Sequence, residues 1–87
     1  MEKKTSNIFR LECKTCNLGY STYRIPRVIK ECGHTICEKC VEKTLEQAEQ
    51  KLEFYCPFCQ KTTVIQGSAS NLPKNFAIID IINNYLN

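Results

Sequence analysis

The sequence predicts a small, metal-stapled α+β domain with a central helix, a short β-hairpin and a flanking C-terminal helix. Three observations lead there. A chain of 87 residues lies below the size at which one hydrophobic core comfortably offsets chain entropy, so a staple is expected. Seven cysteines and the one histidine run in the order C, C, C, H, C, C, C, C, mostly as CxxC pairs. The stretches between them read as β-branched runs around one helical segment. An odd number of cysteines in CxxC spacing, with no secretory leader ahead of them, argues against disulfides and for zinc thiolates in a reducing compartment. Eight ligands require two metals, so two Zn²⁺ ions are the expected cofactor.

Charge narrows the partners. The formal net charge of +3 counts the cysteines as neutral thiols, whereas zinc binds thiolates. Seven thiolates and two dipositive ions bring the metallated chain to about zero. The Lys and Arg residues are scattered among acids rather than gathered into a basic run, so nucleic acid is an unlikely partner. No apolar run approaches the length of a membrane span, and the expected location is the cytoplasm or nucleus.

Taken in order, residues 1–7 are polar, and Ile8-Phe9-Arg10-Leu11 brings apolar side chains just ahead of the first ligand, for packing onto the domain or for dimerisation. In Cys13-Lys14-Thr15-Cys16, two residues between thiolates let both sulfurs reach one ion about 2.3 Å away while turn amides point at them. Residues 20–24 read as a loop leading into a strand at 25–29, where Pro26 suits an edge or a strand start. Gly33 lets Cys32 and His34, two apart, face one ion.

Thr35-Ile36-Cys37-Glu38 matches a capping box and predicts a helix starting at Thr35 and running through Gln50. Cys37 and Cys40 would share a face of its first turn, and Val41, Leu45 and Ala48 its buried stripe. Glu38, Glu42, Glu46 and Glu49 read as solvated surface charge. In Phe54-Tyr55-Cys56-Pro57-Phe58-Cys59, Pro57 fixes the turn between ligands and Phe58 is thrown outward, marking a partner site. Residues 61–65 are β-branched and are expected to pair with the 25–29 strand, before a turn and short linker at 66–71.

A second helix is expected over residues 73–86, with Pro73 in its first turn and Asn71 as cap. At 100° per residue its apolar side chains sweep an arc of about 200°, wider than one core-facing stripe. One side should therefore meet something else: a second copy of the chain, the segment 8–11, or a further domain.

The pairs are separated by fifteen, two and fifteen residues. If the first ion took Cys13, Cys16, Cys32 and His34, the sulfurs of Cys37 and Cys40 would crowd it, which favours an interleaved pairing. The eight-ligand pattern with His fourth, together with "CGHTICEKC" and "CPFC", resembles the RING finger family at every ligand position from Cys13 to Cys59. That resemblance implies a cross-brace: Cys13, Cys16, Cys37 and Cys40 on one ion, with Cys32, His34, Cys56 and Cys59 on the other. The apolar lead-in and the segment "NLPKNFAIIDIINNYL" are similar to the flanks of tripartite-motif ligases, where such helices dimerise. The expected organisation is an N-terminal flank at 1–12, a RING-type zinc finger at 13–60, and a C-terminal strand, turn and helix at 61–87.

Both sites would be closed by four protein ligands, leaving no position for a catalytic water and no spare cysteine nucleophile. The resemblance implies a ubiquitin-protein ligase module that binds a ubiquitin-charged conjugating enzyme, with the substrate chosen by other domains and catalysis by positioning alone. It places contacts to the conjugating enzyme on Thr15, on Thr44 or Leu45, and on Pro57 and Phe58. Gln60 stands where the most active members carry an Arg that bridges conjugating enzyme and ubiquitin. Thr15 and Thr44 also depart from the family's bulky residues. Thr15 and Gln60 motivate the alternative expectation, a RING-type scaffold with little or no ligase activity.

Overall fold

The computed structural model describes residues 11–47, 53–65 and 67–86, and for Tyr85 and Leu86 the backbone alone. Ile8, Phe9, Ala48, Glu49 and Gln50, on which expectations fell, lie outside the described residues. The element order is strand β1 (Pro26–Val28), strand β2 (Thr35–Cys37), helix α1 (Glu38–Gln47), strand β3 (Glu53–Tyr55), strand β4 (Thr62–Val64), a 3₁₀ turn (Ala69–Asn71) and helix α2 (Phe76–Ile81). A single π-helical turn (Ile82–Leu86) continues α2.

The strands form two separate antiparallel hairpins. β1 pairs with β2, Pro26 opposite Cys37 and Val28 opposite Thr35, and β3 pairs with β4, Glu53 opposite Val64 and Tyr55 opposite Thr62. The expected pairing of residues 61–65 with 25–29 is therefore wrong. Each hairpin instead closes a six-residue loop that carries zinc ligands, which costs about 1.5 kcal/mol less loop entropy than bridging the distance from β1 to β4. Between β1 and β2 the loop is tied by Ile29 donating to the His34 carbonyl at 2.8 Å and Gly33 donating to that of Ile29 at 2.7 Å. Gly33 sits at φ +80, a conformation costly for residues with a Cβ.

The helix start also differs from expectation. Thr35 lies in β2, and α1 begins at Glu38. The residue before the helix is Cys37, whose sulfur accepts the Cys40 amide at 3.4 Å. It thus does at the N-terminus what the Thr35 hydroxyl was expected to do. The Thr35 hydroxyl instead accepts from the Asn75 side chain at 2.9 Å.

The core lies between α1 and the two hairpins: Tyr20, Ile29, Ile36, Val41, Leu45, Phe54, Ile65, Ala69 and Leu72 are buried, with Leu11 packed partly against them. Val41 and Leu45 hold the inward stripe of α1, as four-residue spacing requires. Ala69, within the stretch 66–71 expected to be turn and linker, and Leu72 just after it are part of that core.

The chain then runs antiparallel along the free edge of β1. The Val28 amide donates to the Pro73 carbonyl at 2.8 Å and the Asn75 amide to that of Pro26 at 2.9 Å. Arg27, only 6% exposed, locks this segment. Its guanidinium donates to Glu38 Oε1 at 3.1 and 2.8 Å and to the Leu72 carbonyl at 2.7 Å. Glu38 is therefore an ion-pair partner rather than solvated charge. Asn75, not Asn71, caps α2, accepting the Ile78 amide at 3.1 Å. The helix starts three residues later than expected because residues 73–75 are committed to β1. Ile78, Ile79 and Ile82 are half-buried while Phe76, Ala77 and Ile81 stay exposed, so α2 packs on one side.

Candidate metal centre

Two ligand clusters result from this folding. Cys13, Cys16, Cys37 and Cys40 form the first; Cys32, His34, Cys56 and Cys59 form the second. Within each, the candidate ligand atoms lie within 4.8 Å of one another. All seven cysteines and the histidine are used, in the interleaved arrangement, and none of the cysteines is disulfide-bonded.

The geometry fits zinc. Ligands about 2.3 Å from a tetrahedral centre stand about 3.8 Å apart; Cys13 to Cys40 and Cys16 to Cys37 are each 3.9 Å. A nitrogen about 2.0 Å from the metal stands about 3.5 Å from a thiolate; His34 Nδ1 is 3.2 Å from Cys32 Sγ and 3.4 Å from Cys56 Sγ. The tautomer with Nδ1 unprotonated is the one that would bind. Four protein ligands at each site close the coordination, so both are structural centres.

The two CxxC turns are built alike. Cys13 donates its amide to the Leu18 carbonyl and accepts from the Asn17 amide; Cys56 does the same with Lys61 and Gln60. Asn17 and Gln60 occupy matching left-handed positions at φ 62 and 68. These turns aim amides at sulfur. Burial alone would raise the Cys13 pKa, but amides of Cys37, Cys16 and Thr15 outweigh it and bring the thiol down to about 6. At Cys56, burial is likewise overcome by the amides of Phe58 and Cys59, and the pKa falls to about 7. Burial pushes up Cys32, Cys37 and Cys40, so zinc would have to displace protons there. The Tyr20 phenol is pushed up by burial and then by charge on Cys13 and Cys37, which keeps it neutral beside the first site.

The residues expected at a partner surface are distributed unevenly. Thr15, Pro57, Phe58, Thr44 and Gln60 are exposed. Phe58 is 41% exposed, and its ring leans on His34 with centroids 5.3 Å apart. Leu45 is 6% exposed and belongs to the core, so of the pair offered on the helix Thr44 is the one at the surface. Its hydroxyl donates back to the Cys40 carbonyl at 3.0 Å.

Sequence reasoning missed Arg24, whose Nη1 donates to the sulfurs of Cys37 at 3.7 Å and Cys16 at 3.8 Å. The hydrogen bond to Cys37 is the main cause that raises its pKa. It also missed Arg27. An arginine before or inside a β-prone stretch carries no signal of what it faces until the hairpin register is known.

Comparison with known proteins agrees with this geometry. A family model described as RING-type zinc-finger matches residues 13–57, just over half of the chain. The chain is 38% identical over 74 residues to E3 ubiquitin-protein ligase arc-1 of Caenorhabditis elegans, covering 80% of this chain and 13% of that protein. It is 36% identical over 72 residues to E3 ubiquitin-protein ligase TRIM32 of Homo sapiens, covering 83% of this chain and 11% of that protein. With E3 ubiquitin-protein ligase trim-21 of Caenorhabditis elegans it shares 33% identity over 76 residues, 82% of this chain and 24% of that protein. The chain thus spans a small fraction of the length of the relatives it matches. The interleaved ligand clusters and the matched family model together show that the chain belongs to the RING-type zinc-finger family.

Proposed function

We propose that the chain is a RING-type ubiquitin-protein ligase module: it docks a conjugating enzyme charged with ubiquitin and holds the thioester for attack by a substrate lysine. The observation that carries this reading is the placement of Phe58. Its backbone amide donates to the Cys56 sulfur at 3.4 Å, so the second zinc site would fix its loop while its side chain stays exposed beside Pro57. An apolar anchor on a rigid loop is a low-entropy docking element. Pro57 and Phe58 from one zinc loop, Thr15 from the other and Thr44 on α1 are the proposed contacts.

Catalysis would be by orientation alone. All seven cysteines belong to the two clusters, so among them no thiol is left to carry ubiquitin, and reaction from a held thioester gains from proximity and alignment. Zinc, when bound, supplies the fixed loop geometry. Gln60, in its left-handed position, would supply a neutral hydrogen bond to the conjugating enzyme or ubiquitin. The substrate would be chosen by other domains, and a homodimer would use the exposed side of α2. The thiolate centres favour a reducing compartment, cytoplasm or nucleus.

A second reading, a RING-type scaffold without ligase activity, is favoured by Thr15 and Gln60, a small and an uncharged side chain at contact positions. Reconstitution separates the two. The zinc-loaded domain is combined with activating enzyme, a panel of conjugating enzymes, ubiquitin and ATP. The ligase module stimulates conjugation with at least one of them; stimulation by none would leave the scaffold.

A further inference from the structure

We infer that Arg24 is a positioning residue for the first metal centre, a fixed cation that makes it the slower of the two sites to release metal. Four thiolates around a dipositive ion leave a net charge of two minus at that site; three thiolates and a neutral imidazole leave one minus at the other. The first would carry the larger excess to be offset, and Arg24 lies there, on the sulfurs of Cys16 and Cys37 at 3.8 and 3.7 Å. Among the described residues no Lys or Arg donates to a sulfur of the second site.

The contact is built in advance. The Ser21 hydroxyl accepts the amides of Tyr23 at 3.0 Å and Arg24 at 3.1 Å. The backbones of Ser21 and Arg24 exchange hydrogen bonds at 3.1 and 3.2 Å. Ser21 therefore fixes the turn from which the guanidinium reaches back to the metal centre. Both contacts come from the one nitrogen Nη1, held on a rigid, always-charged plane where an ammonium would sit on a freely rotating stem. Amides complete the shell: that of Cys37 donates to Cys13 Sγ at 3.5 Å and that of Cys40 to Cys37 Sγ at 3.4 Å. Hydrogen bonds and a fixed positive charge at the sulfurs offset the excess negative charge of the site, and outer-shell partners of this kind tune metal affinity. The second site has His34 and its neighbours near the surface, so its metal leaves first, and with it the anchor of the Phe58 loop.

The test follows metal rather than ubiquitin transfer, so it stands apart from the ligase reading. The 87-residue domain is loaded with zinc, and release to excess chelator is timed. A parallel cadmium-loaded sample is followed by cadmium NMR, which separates the four-sulfur from the three-sulfur, one-nitrogen environment. Wild type should lose the second site first. Arg24→Gln should speed release from the first site by about tenfold to a hundredfold and leave the second unchanged. Arg24→Lys, which keeps the charge without the rigid planar group, should fall between, and Ser21→Ala should speed the first site by a smaller factor. Unchanged release from the first site in Arg24→Gln would overturn the inference. So would equal acceleration at both sites, because Arg24 would then act on the fold as a whole; if the Gln variant holds no metal at either site, Ser21→Ala, which keeps the arginine, decides, and a first site no faster than wild type, or both sites equally faster, would overturn the inference.

Discussion

Replacing Arg27 with alanine should release the C-terminal segment from the zinc-bound body. The side chain is 6% exposed, and its guanidinium makes two hydrogen bonds to Glu38 Oε1 and one to the Leu72 carbonyl. Removing one member of a buried pair costs about 3–5 kcal/mol. Glu38 keeps 18% of its side-chain surface, so water relieves part of the orphaned charge and the lower end, about 3 kcal/mol, applies. The abandoned Leu72 carbonyl adds about 1 kcal/mol. A total near 4 kcal/mol is about a thousandfold in a local opening equilibrium. The loss should fall first on the amides of Val28 and Asn75, which bond across the seam between β1 and residues 73–75. Hydrogen exchange of the zinc-saturated domain, read by NMR, measures it: both amides should exchange up to about a thousandfold faster, to the limit of their wild-type protection. A double variant, Arg27→Met with Glu38→Leu, should recover most of the stability, since a hydrophobic pair leaves no unpaired charge. Wild-type exchange at Val28 and Asn75 in Arg27→Ala would refute the clamp.

Phe58→Ala should cut ubiquitin transfer about thirtyfold or more, the loss expected of an interface anchor, while elemental analysis still finds two zinc ions per chain; metal loss instead would make Phe58 structural. Gln60→Arg keeps the left-handed turn and adds a charge for the bridging hydrogen bond, so transfer should rise severalfold with zinc content unchanged. Zinc affinity, measured by chelator competition, should rise with pH: Cys40, pushed up by burial, yields a proton on binding, whereas Cys13 at about 6 is already ionised above neutrality and adds to the slope only below that. In the metal-free domain the Cys13 contribution to stability is fully present above its ordinary value of 9.0 and is lost as pH falls through about 6. If the exposed side of α2 makes a dimer, Ile81→Asp, on that exposed side, should turn it to monomer on light scattering, and an unchanged mass would remove that interface.

The ligands were legible because CxxC spacing is a local property of the chain: two intervening residues suffice to put two sulfurs on one ion whatever the rest does. The interleaving was supported by crowding and by family resemblance, and the clusters bear it out. Strand partners were less legible. Residues 61–65 and 25–29 are both β-prone, and nothing in their composition says that each pairs with its nearer neighbour across a zinc loop. Thr35 and Glu38 have capping-box spacing, yet both are used elsewhere, by Asn75 and Arg27, because β1 and residues 73–75 pass the helix start. The sulfur of Cys37 then caps α1, a role that a search for hydroxyls and amides overlooks. The roles of Arg24 and Arg27 leave no mark in the sequence for the same reason: their partners are set by tertiary register.

A single-turnover discharge experiment isolates the positioning step. A conjugating enzyme is charged with ubiquitin, the activating enzyme is quenched, and free lysine is added with or without the zinc-loaded domain. The domain should accelerate loss of the thioester, and the Phe58→Ala variant should not. A rate that the domain leaves unchanged with every conjugating enzyme tested would contradict catalysis by positioning and leave these two zinc centres as the frame of a binding scaffold.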